Sequence, residues 1–525
     1  MHICIEGCAH GDLDMIYEEL RIYEEQTQKK VDLLICCGDF QATRNKEDLA
    51  CMAVPKKYLE MGGFYKYYTG LQVAPILTLF IGGNHEASNH LQELSYGGWC
   101  APNIYYLGNA GVININGLKI AGVSGIYRHY NYRKGHYECP PYDDNTMRSV
   151  YAMRNLEVFR LRQLKPLTID IMVSHDWPQK IWEHGDRTKR FGKVEGLLRK
   201  KPDFKADMDS GKLGNPPCWD LLTKLKPKYW YSAHMHCRFE AKVFHEEADA
   251  ATDFVALDKC ILGRHFLEFV EIGEPVERNE DGTAKLTMEY DPEWLTVLSL
   301  TNKFLNCTTS DTKLPYEPSQ NQSRANEQRW NFSPTEEEVQ AVLKKFNNDL
   351  TIKHNFKQTV NGYDPEWDGG NFNNLKMPDP SINIQTVEFC DKLGIDDPLL
   401  IVSNLNNVKV HVPNYTISDQ EAFKDCNIVS DKQATATKKP QLSLPKPINN
   451  DEIDLDDLDD DIEDSEALKS TKSPQVKAEI RQEEKIEVQS ELEEPTKVEE
   501  KVNIEEPAAK KFKRRNQDLY AATDE

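Results

Sequence analysis

Cys8 and His10 stand two residues apart in Glu6-Gly7-Cys8-Ala9-His10-Gly11, directly behind the apolar run Ile3-Cys4-Ile5. Further along the chain, Gly38-Asp39, Gly83-Asn84-His85-Glu86, Ser174-His175 and Ala233-His234-Met235-His236 each close another short apolar run. Thiolate, imidazole, carboxylate and amide oxygen are all groups that hold divalent metal ions, and imidazole also moves protons near neutral pH. Taken singly, each is an ordinary loop residue. The ordered set, with every member behind a hydrophobic run, is what points to chemistry.

That chemistry is binuclear. Two divalent ions about 3.5–4 Å apart can arm a water molecule and clamp a phosphoryl group for in-line displacement. Such a centre needs one bridging carboxylate, borderline or hard ligands on either side, and an open face. Asp39 suits the bridge. Asn84, His175 and His234 would complete one position with it, and Cys8, His10 and His236 the other. His85, beside Asn84 but aimed differently, is left as a general acid, and Glu86 as a hydrogen-bonding support. A thiolate at Cys8 favours ferrous iron or zinc over magnesium, with manganese as a further candidate, and a neutral buried thiol is the alternative.

The elements that must carry these residues can be read from the apolar runs. Val31–Cys37, Pro75–Ile81, Lys119–Val123, Ile169–Val173 and Tyr229–Ser232 read as buried strands alternating with helical patterns. Polar residues at strand C-terminal ends are where α/β folds collect ligand groups. Residues 1–280 are expected to form this catalytic domain, and 281–430 a mainly helical accessory domain. In the latter, Ser333 reads as an N-cap with Pro334 at the first helical position, Val339, Val342, Leu343 and Phe346 share one face, and a helix over Thr386–Leu393 stops at Gly394.

A chain of 525 residues exceeds one core, and its formal net charge of −22 is unevenly placed. Residues 431–525 hold 26 acidic and 16 basic side chains and no aromatic before Phe512, so this tail is expected to be disordered. The 13 cysteines show no repeated spacing, which suits free thiols in a reducing compartment. The N-terminus lacks the basic flank and apolar core of a signal peptide. No apolar run approaches the roughly 20 residues of a bilayer span, so no membrane partner is expected.

Longer strings add a resemblance. GCAHG, CCGDFQA, GGNHEAS, GGWCAPNIYYLG, GVSGIYR, KGHYECPPY, RSVYAMRN, SHDWP, YWYSAHMH, FVALDKC and EYDPEWLTVL lie within residues 1–300. They resemble the calcineurin-like metallophosphoesterase superfamily and, within it, the RNA lariat debranching family; residues 285–400 are similar, more weakly, to that family's C-terminal domain. The resemblance implies a four-layer β-sandwich flanked by helices. It also implies a Cys where most of the superfamily carries Asp. The activity it implies is hydrolysis of the 2′–5′ phosphodiester at the branch point of intron lariats, with a recognition loop over residues 124–158. A protein phosphatase of the same superfamily is the rival enzyme, disfavoured because Gly38-Asp39 continues as Phe40-Gln41-Ala42. A non-catalytic RNA-binding adaptor is the rival outside enzymes.

Independently of the resemblance, Tyr127, Arg128, Tyr130, Tyr132, Arg133, His136 and Tyr137 interleave rings and cations, the composition that stacks and neutralises splayed single-stranded RNA. Arg187–Lys205 holds eight basic and two acidic residues, and reads either as a second RNA contact or as a solvated charged loop. Near the C-terminus, Lys510-Lys511-Phe512-Lys513-Arg514-Arg515 reads as a nuclear import signal, which implies an import receptor as partner and the nucleus as location.

Overall fold

The computed structural model describes residues 1–413 except 281, 316–328, 369–371, 373 and 374. The acidic tail and the 510–515 cluster lie outside the described residues.

Thirteen strands form among them: β1 (His2–Glu6), β2 (Leu33–Cys36), β3 (Leu77–Phe80), β4 (Gly98–Ala101), β5 (Ile104–Tyr106), β6 (Ala110–Ile115), β7 (Leu118–Val123), β8 (Ile171–Ser174), β9 (Tyr229–Ser232), β10 (Phe239–His245), β11 (Ala250–Ala256), β12 (Leu267–Glu271) and β13 (Met288–Tyr290). They make a six-stranded sheet, β12-β1-β2-β3-β5-β4, and a seven-stranded sheet, β10-β11-β9-β8-β7-β6-β13. The central strands pair in parallel, β1 with β2, β2 with β3, β7 with β8 and β8 with β9. Each apolar run read as a strand contains one, shortened by a residue or two at some ends and extended by one at Leu118 and at Ser174.

Alternation along the second sheet explains the layering. Ile120, Ile171, Val173 and Tyr231 point into the core shared with the first sheet, which holds Ile3, Ile5, Leu33, Ile35 and Leu79. Their neighbours Ala121, Met172 and Trp230 point the other way, into a core with Leu221, Leu225, Leu298 and Leu393 from the flanking helices. A two-residue period buried on both faces requires cover on both sides. The layers are therefore helix, sheet, sheet, helix.

The described part of residues 281–430 belongs to the same compact unit, Met1–Leu444. Strand β13 extends the second sheet by pairing with β6. Behind it, the helix Pro292–Thr301 starts at Asp291, whose carboxylate accepts the Trp294 N–H at 2.8 Å, and buries Trp294, Leu295, Val297 and Leu298. A buried network clamps this region to the catalytic loops. The Arg44 guanidinium pairs with Asp48 at 2.8 Å and Glu93 at 2.7 Å, and donates to Thr359 Oγ1 at 2.7 Å.

One helix start differs from the sequence expectation. The helix Glu336–Lys345 is capped by Thr335, not Ser333, because Thr335 and Glu338 form a reciprocal capping box. Ser333 instead donates its hydroxyl to the Gln163 carbonyl at 2.8 Å. Val342 and Phe346 of the expected face are buried. The later helix spans Ile384–Leu393 and ends at Gly394 in the left-handed conformation.

Candidate metal centre

The loops behind β1, β2, β3, β8 and β9 open at one end of the sandwich, and their polar side chains meet there. Cys8, His10, Asp39 and His236 offer ligand atoms that all lie within 4.8 Å of one another. His10 Nε2 is 3.2 Å from His236 Nε2 and 3.9 Å from Asp39 Oδ2. On the other side of the same carboxylate, His175 Nε2 lies 3.3 Å from Asp39 Oδ1 and 3.3 Å from Asn84 Oδ1. His234 completes that side, its ring 5.0 Å from His175, and its backbone N–H donates to Cys8 Sγ at 3.2 Å. All seven residues read as candidate ligands from sequence are thus brought to one place, arranged on two sides of Asp39.

The backbone is bent to achieve this. His10, Asp39, His234 and His236 all have φ between 45° and 60°. For residues other than glycine such conformations cost on the order of 1–3 kcal/mol each and persist where surrounding contacts over-determine them. Here the His10 N–H donates to the Asp39 carbonyl at 2.7 Å, and the His85 N–H to Asp39 Oδ1 at 2.8 Å. Gly83 is required for a different reason. A Cβ there would sit 2.1 Å from Asp39 Oδ1 and 2.8 Å from His175 Nε2.

Glu86 supports the two central loops from beneath. Its buried carboxylate accepts the N–H of Phe40 at 2.8 Å, of Gly83 at 2.9 Å and of Gln41 at 2.8 Å. One side chain so fastens the Asp39 loop to the Asn84 loop. Burial, with Asp39 nearby, pushes its carboxyl up to about 7. Gln41 is a residue that sequence reasoning passed over. Its amide lies 3.1 Å from His10 Nδ1, and the available signal was its place two residues after Asp39.

The donor set fits divalent metal. Asp39 Oδ2 is buried yet has no hydrogen-bond partner among the described residues. The His175 Nδ1–H donates to the Cys37 carbonyl at 2.8 Å, which directs Nε2 toward two oxygen acceptors. Burial opposes charge on His175, but Asp39 outweighs it and raises the ring's affinity for a proton. A cation between these atoms would take that proton's place. Burial, then Asp39 and Glu6, pushes the Cys8 thiol well above its ordinary range, so without a cation its sulfur is a neutral acceptor. His85 stands beside this set without joining it. Its ring is 5.9 Å from His10, and its buried Nδ1 has no hydrogen-bond partner among the described residues.

The ring-and-cation loop borders the centre. The Tyr127 N–H donates to Asp176, next to His175, at 3.3 Å, and the Gly125 N–H to the Gly82 carbonyl at 2.8 Å. Its side chains divide. Tyr130 is 56% exposed, Arg133 makes an exposed ion pair with Asp311 at 3.2 Å, and the Arg128 guanidinium lies 5.5 Å above the Tyr151 ring. Tyr132 packs edge-on to Tyr127 and against the second core. His136 is held by Glu157 at 3.0 Å and Tyr137 by Ser149 at 3.1 Å, so these two act within the loop's scaffold. No helix among the described residues is long and apolar enough to cross a membrane.

Comparison with known proteins agrees with this geometry. Residues 1–238 match the calcineurin-like phosphoesterase family, and residues 249–398 match the lariat debranching enzyme C-terminal domain. Residues 239–248 lie between the two matches. The chain is 42% identical to a lariat debranching enzyme of Drosophila pseudoobscura pseudoobscura over all of both chains. It is 44% identical to one from Homo sapiens over 88% of this chain and 80% of that protein. With one from Arabidopsis thaliana it shares 49% identity over 59% of this chain and 73% of the relative. Sequence similarity along the whole chain, on a phosphoesterase fold, makes this protein a member of the lariat debranching enzyme family.

Proposed function

We propose that this protein is a metal-dependent phosphodiesterase that cleaves the 2′–5′ linkage at the branch point of excised intron lariats. The products are a linear RNA with a 5′-phosphate and a free 2′-hydroxyl on the branch nucleotide. The observation that carries the reading is the convergence of Cys8, His10, Asn84, His175, His234 and His236 around the single carboxylate of Asp39. Divalent ions held there supply the activated water and the positive charge that phosphoryl transfer needs. The thiol of Cys8 favours ferrous iron or zinc, with manganese able to substitute.

The chain's own residues do the rest. Asp39 and Asn84, fixed by Glu86 and by the close approach of Gly83, set where the phosphorus sits. His85 lies at the edge of the ligand set and delivers a proton to the departing 2′-oxygen, a task suited to imidazole near neutral pH. Tyr127, Arg128 and Tyr130 lie on the bordering loop, where unstacked nucleotides around a branch can rest on rings and pair with cations. Lys510–Arg515 serves as the import signal that brings the enzyme to introns in the nucleus.

The test is a turnover assay on three substrates: a branched RNA, the same sequence with only 3′–5′ linkages, and a phosphopeptide. Cleavage of the branched RNA alone, yielding a 5′-phosphate, is the expected result. Equal or faster turnover of the phosphopeptide would make the protein a phosphatase, and binding of RNA without cleavage would make it an adaptor.

A further inference from the structure

The metal centre has a second flank, opposite in charge to the chain as a whole. The stretch Arg187–Lys205 carries eight basic and two acidic residues in a protein of net charge −22. In the structure its cations are gathered, not scattered. Phe191 is the hub: the Arg190 guanidinium lies 5.0 Å from its ring centre, the Lys200 ammonium 5.4 Å and the Arg238 guanidinium 5.3 Å. His265 packs on the same ring with centroids 4.7 Å apart. Three cations around one phenyl ring hold their charges close together, each gaining about 0.5–1 kcal/mol from the ring and so offsetting part of their mutual repulsion.

Arg187, Lys189, Arg190, Lys193, Arg199 and Lys200 are all exposed, and among the described residues none of them makes an ion pair. The nearby cations that are satisfied make the contrast. Arg238 pairs with Glu240 and Glu268, both at 2.7 Å, and Lys205 with Asp209. Burial, then the charges of Arg238, Lys200 and Arg190, holds the His265 imidazole below its ordinary range.

This patch is joined to the metal centre through two short routes. Arg238, 5.3 Å from the Phe191 ring centre, follows His236 by two residues. His265, on the same ring, accepts the Asp258 N–H at 3.1 Å through its carbonyl, and two residues later the Cys260 N–H donates to the Cys8 carbonyl at 3.0 Å. The patch is therefore tied to the segments that carry Cys8 and His236, whereas the ring-and-cation loop is anchored beside Asp176 and Gly82.

We infer that the Arg187–Lys200 surface is a track for the sugar–phosphate backbone of one RNA arm leaving the branch. It is a backbone contact without base reading: the exposed ammonium and guanidinium groups offer donors to phosphate oxygens, and the Phe191 ring is already engaged by three cations and by His265. The inference rests on the debranching reading and adds where the substrate runs. A branched nucleic acid has three arms, and one bordering loop cannot follow them all; a basic surface on the other flank of the centre gives a second arm its path. Neutralised phosphates release counterions, so such a track must show itself in salt dependence, with a slope of about −0.7 in log–log form per single-strand phosphate contacted.

The experiment uses the full chain and two branched RNAs, a minimal branched core and the same core with arms of about ten nucleotides. The variants are Arg190→Gln/Lys193→Gln/Arg199→Gln/Lys200→Gln and, leaving the Phe191 hub intact, Lys193→Gln/Arg199→Gln. For the quadruple variant, affinity for the long-armed RNA should fall and its salt slope should flatten by up to about 2.8; for the double variant, by about 1.4, equivalent to on the order of a twentyfold loss at 0.1 M salt. Turnover of the minimal core at saturation, and metal content, should not change. An unaltered salt slope on long-armed RNA in the folded double variant overturns the track, as does an equal loss on core and long-armed substrates. A wild-type protein that bound long-armed RNA with this patch dependence but cleaved neither substrate would remove the debranching reading and leave the track standing.

Discussion

Gly83→Ala is the substitution whose consequence can be worked most directly from the structure. A Cβ built at Gly83 lies 2.1 Å from Asp39 Oδ1, 2.4 Å from the Asp39 backbone nitrogen and 2.8 Å from His175 Nε2. Carbon and oxygen in ordinary contact stand more than 3 Å apart, so the methyl group must drive the carboxylate, or the loop carrying Asn84 and His85, aside by about 1 Å. Neither can yield cheaply. Asp39 Oδ1 is held by the His85 N–H, and the Gly83 N–H is held by Glu86. A misplacement of about 1 Å at a reacting centre costs about 100-fold in rate, or about 2.7 kcal/mol in the barrier. The expected outcome is a folded protein of lowered melting temperature, lowered metal content and debranching slowed by about that factor in single-turnover assays. A Gly83→Ala protein with full metal content and a rate within threefold of wild type would refute the reasoning, because it would mean Asp39 does not need its observed position.

Other perturbations separate the roles of neighbouring side chains. Cys8→Ala should lower metal content and slow turnover about tenfold or more, and Cys8→Asp should shift preference toward manganese and magnesium; unchanged stoichiometry and rate in the Ala protein would remove Cys8 from the site. His85→Ala should keep its metal and its substrate affinity but lose about 100- to 10,000-fold in turnover, and normal turnover would exclude His85 as the acid. Glu86→Ala leaves three backbone N–H donors without their acceptor, at about 1–3 kcal/mol each where buried, so melting temperature and metal affinity should fall together. An unaffected melting curve would show that the two loops hold without it.

The parts of this molecule legible in its sequence are those that depend on local pattern. Strands such as Ile171–Ser174 and Tyr229–Ser232 announce themselves because both faces are buried and the run is apolar up to its terminal serine. His175 and His234 are conspicuous because they terminate such runs. Contacts made between distant segments are not encoded this way. Nothing in the local pattern at Arg44 marks its bond to Thr359, 315 residues away, and nothing near Gly83 reveals that Asp39 fills the space where a side chain would go. The shift of the helix cap from Ser333 to Thr335 has the same origin, since Gln163 claims the serine hydroxyl. The left-handed backbone at His10, Asp39, His234 and His236 is a property of the assembled site, in tension with what each residue prefers alone. Likewise the string around Phe191 leaves an RNA contact and a solvated charged loop equally open until Arg238 and His265 arrive from elsewhere in the chain.

The central claim is that Asp39 and the residues on its two sides would hold the divalent ions on which debranching depends. Metal analysis of anaerobically purified protein, with anomalous diffraction at the iron, zinc and manganese edges and turnover measured on the same preparation, tests it most directly. The account predicts one or two ions per chain, bounded by Asp39 with Asn84, His175 and His234 on one side and Cys8, His10 and His236 on the other, and a rate that follows occupancy. Full debranching activity in metal-free protein, or ions bound away from Asp39, would contradict it.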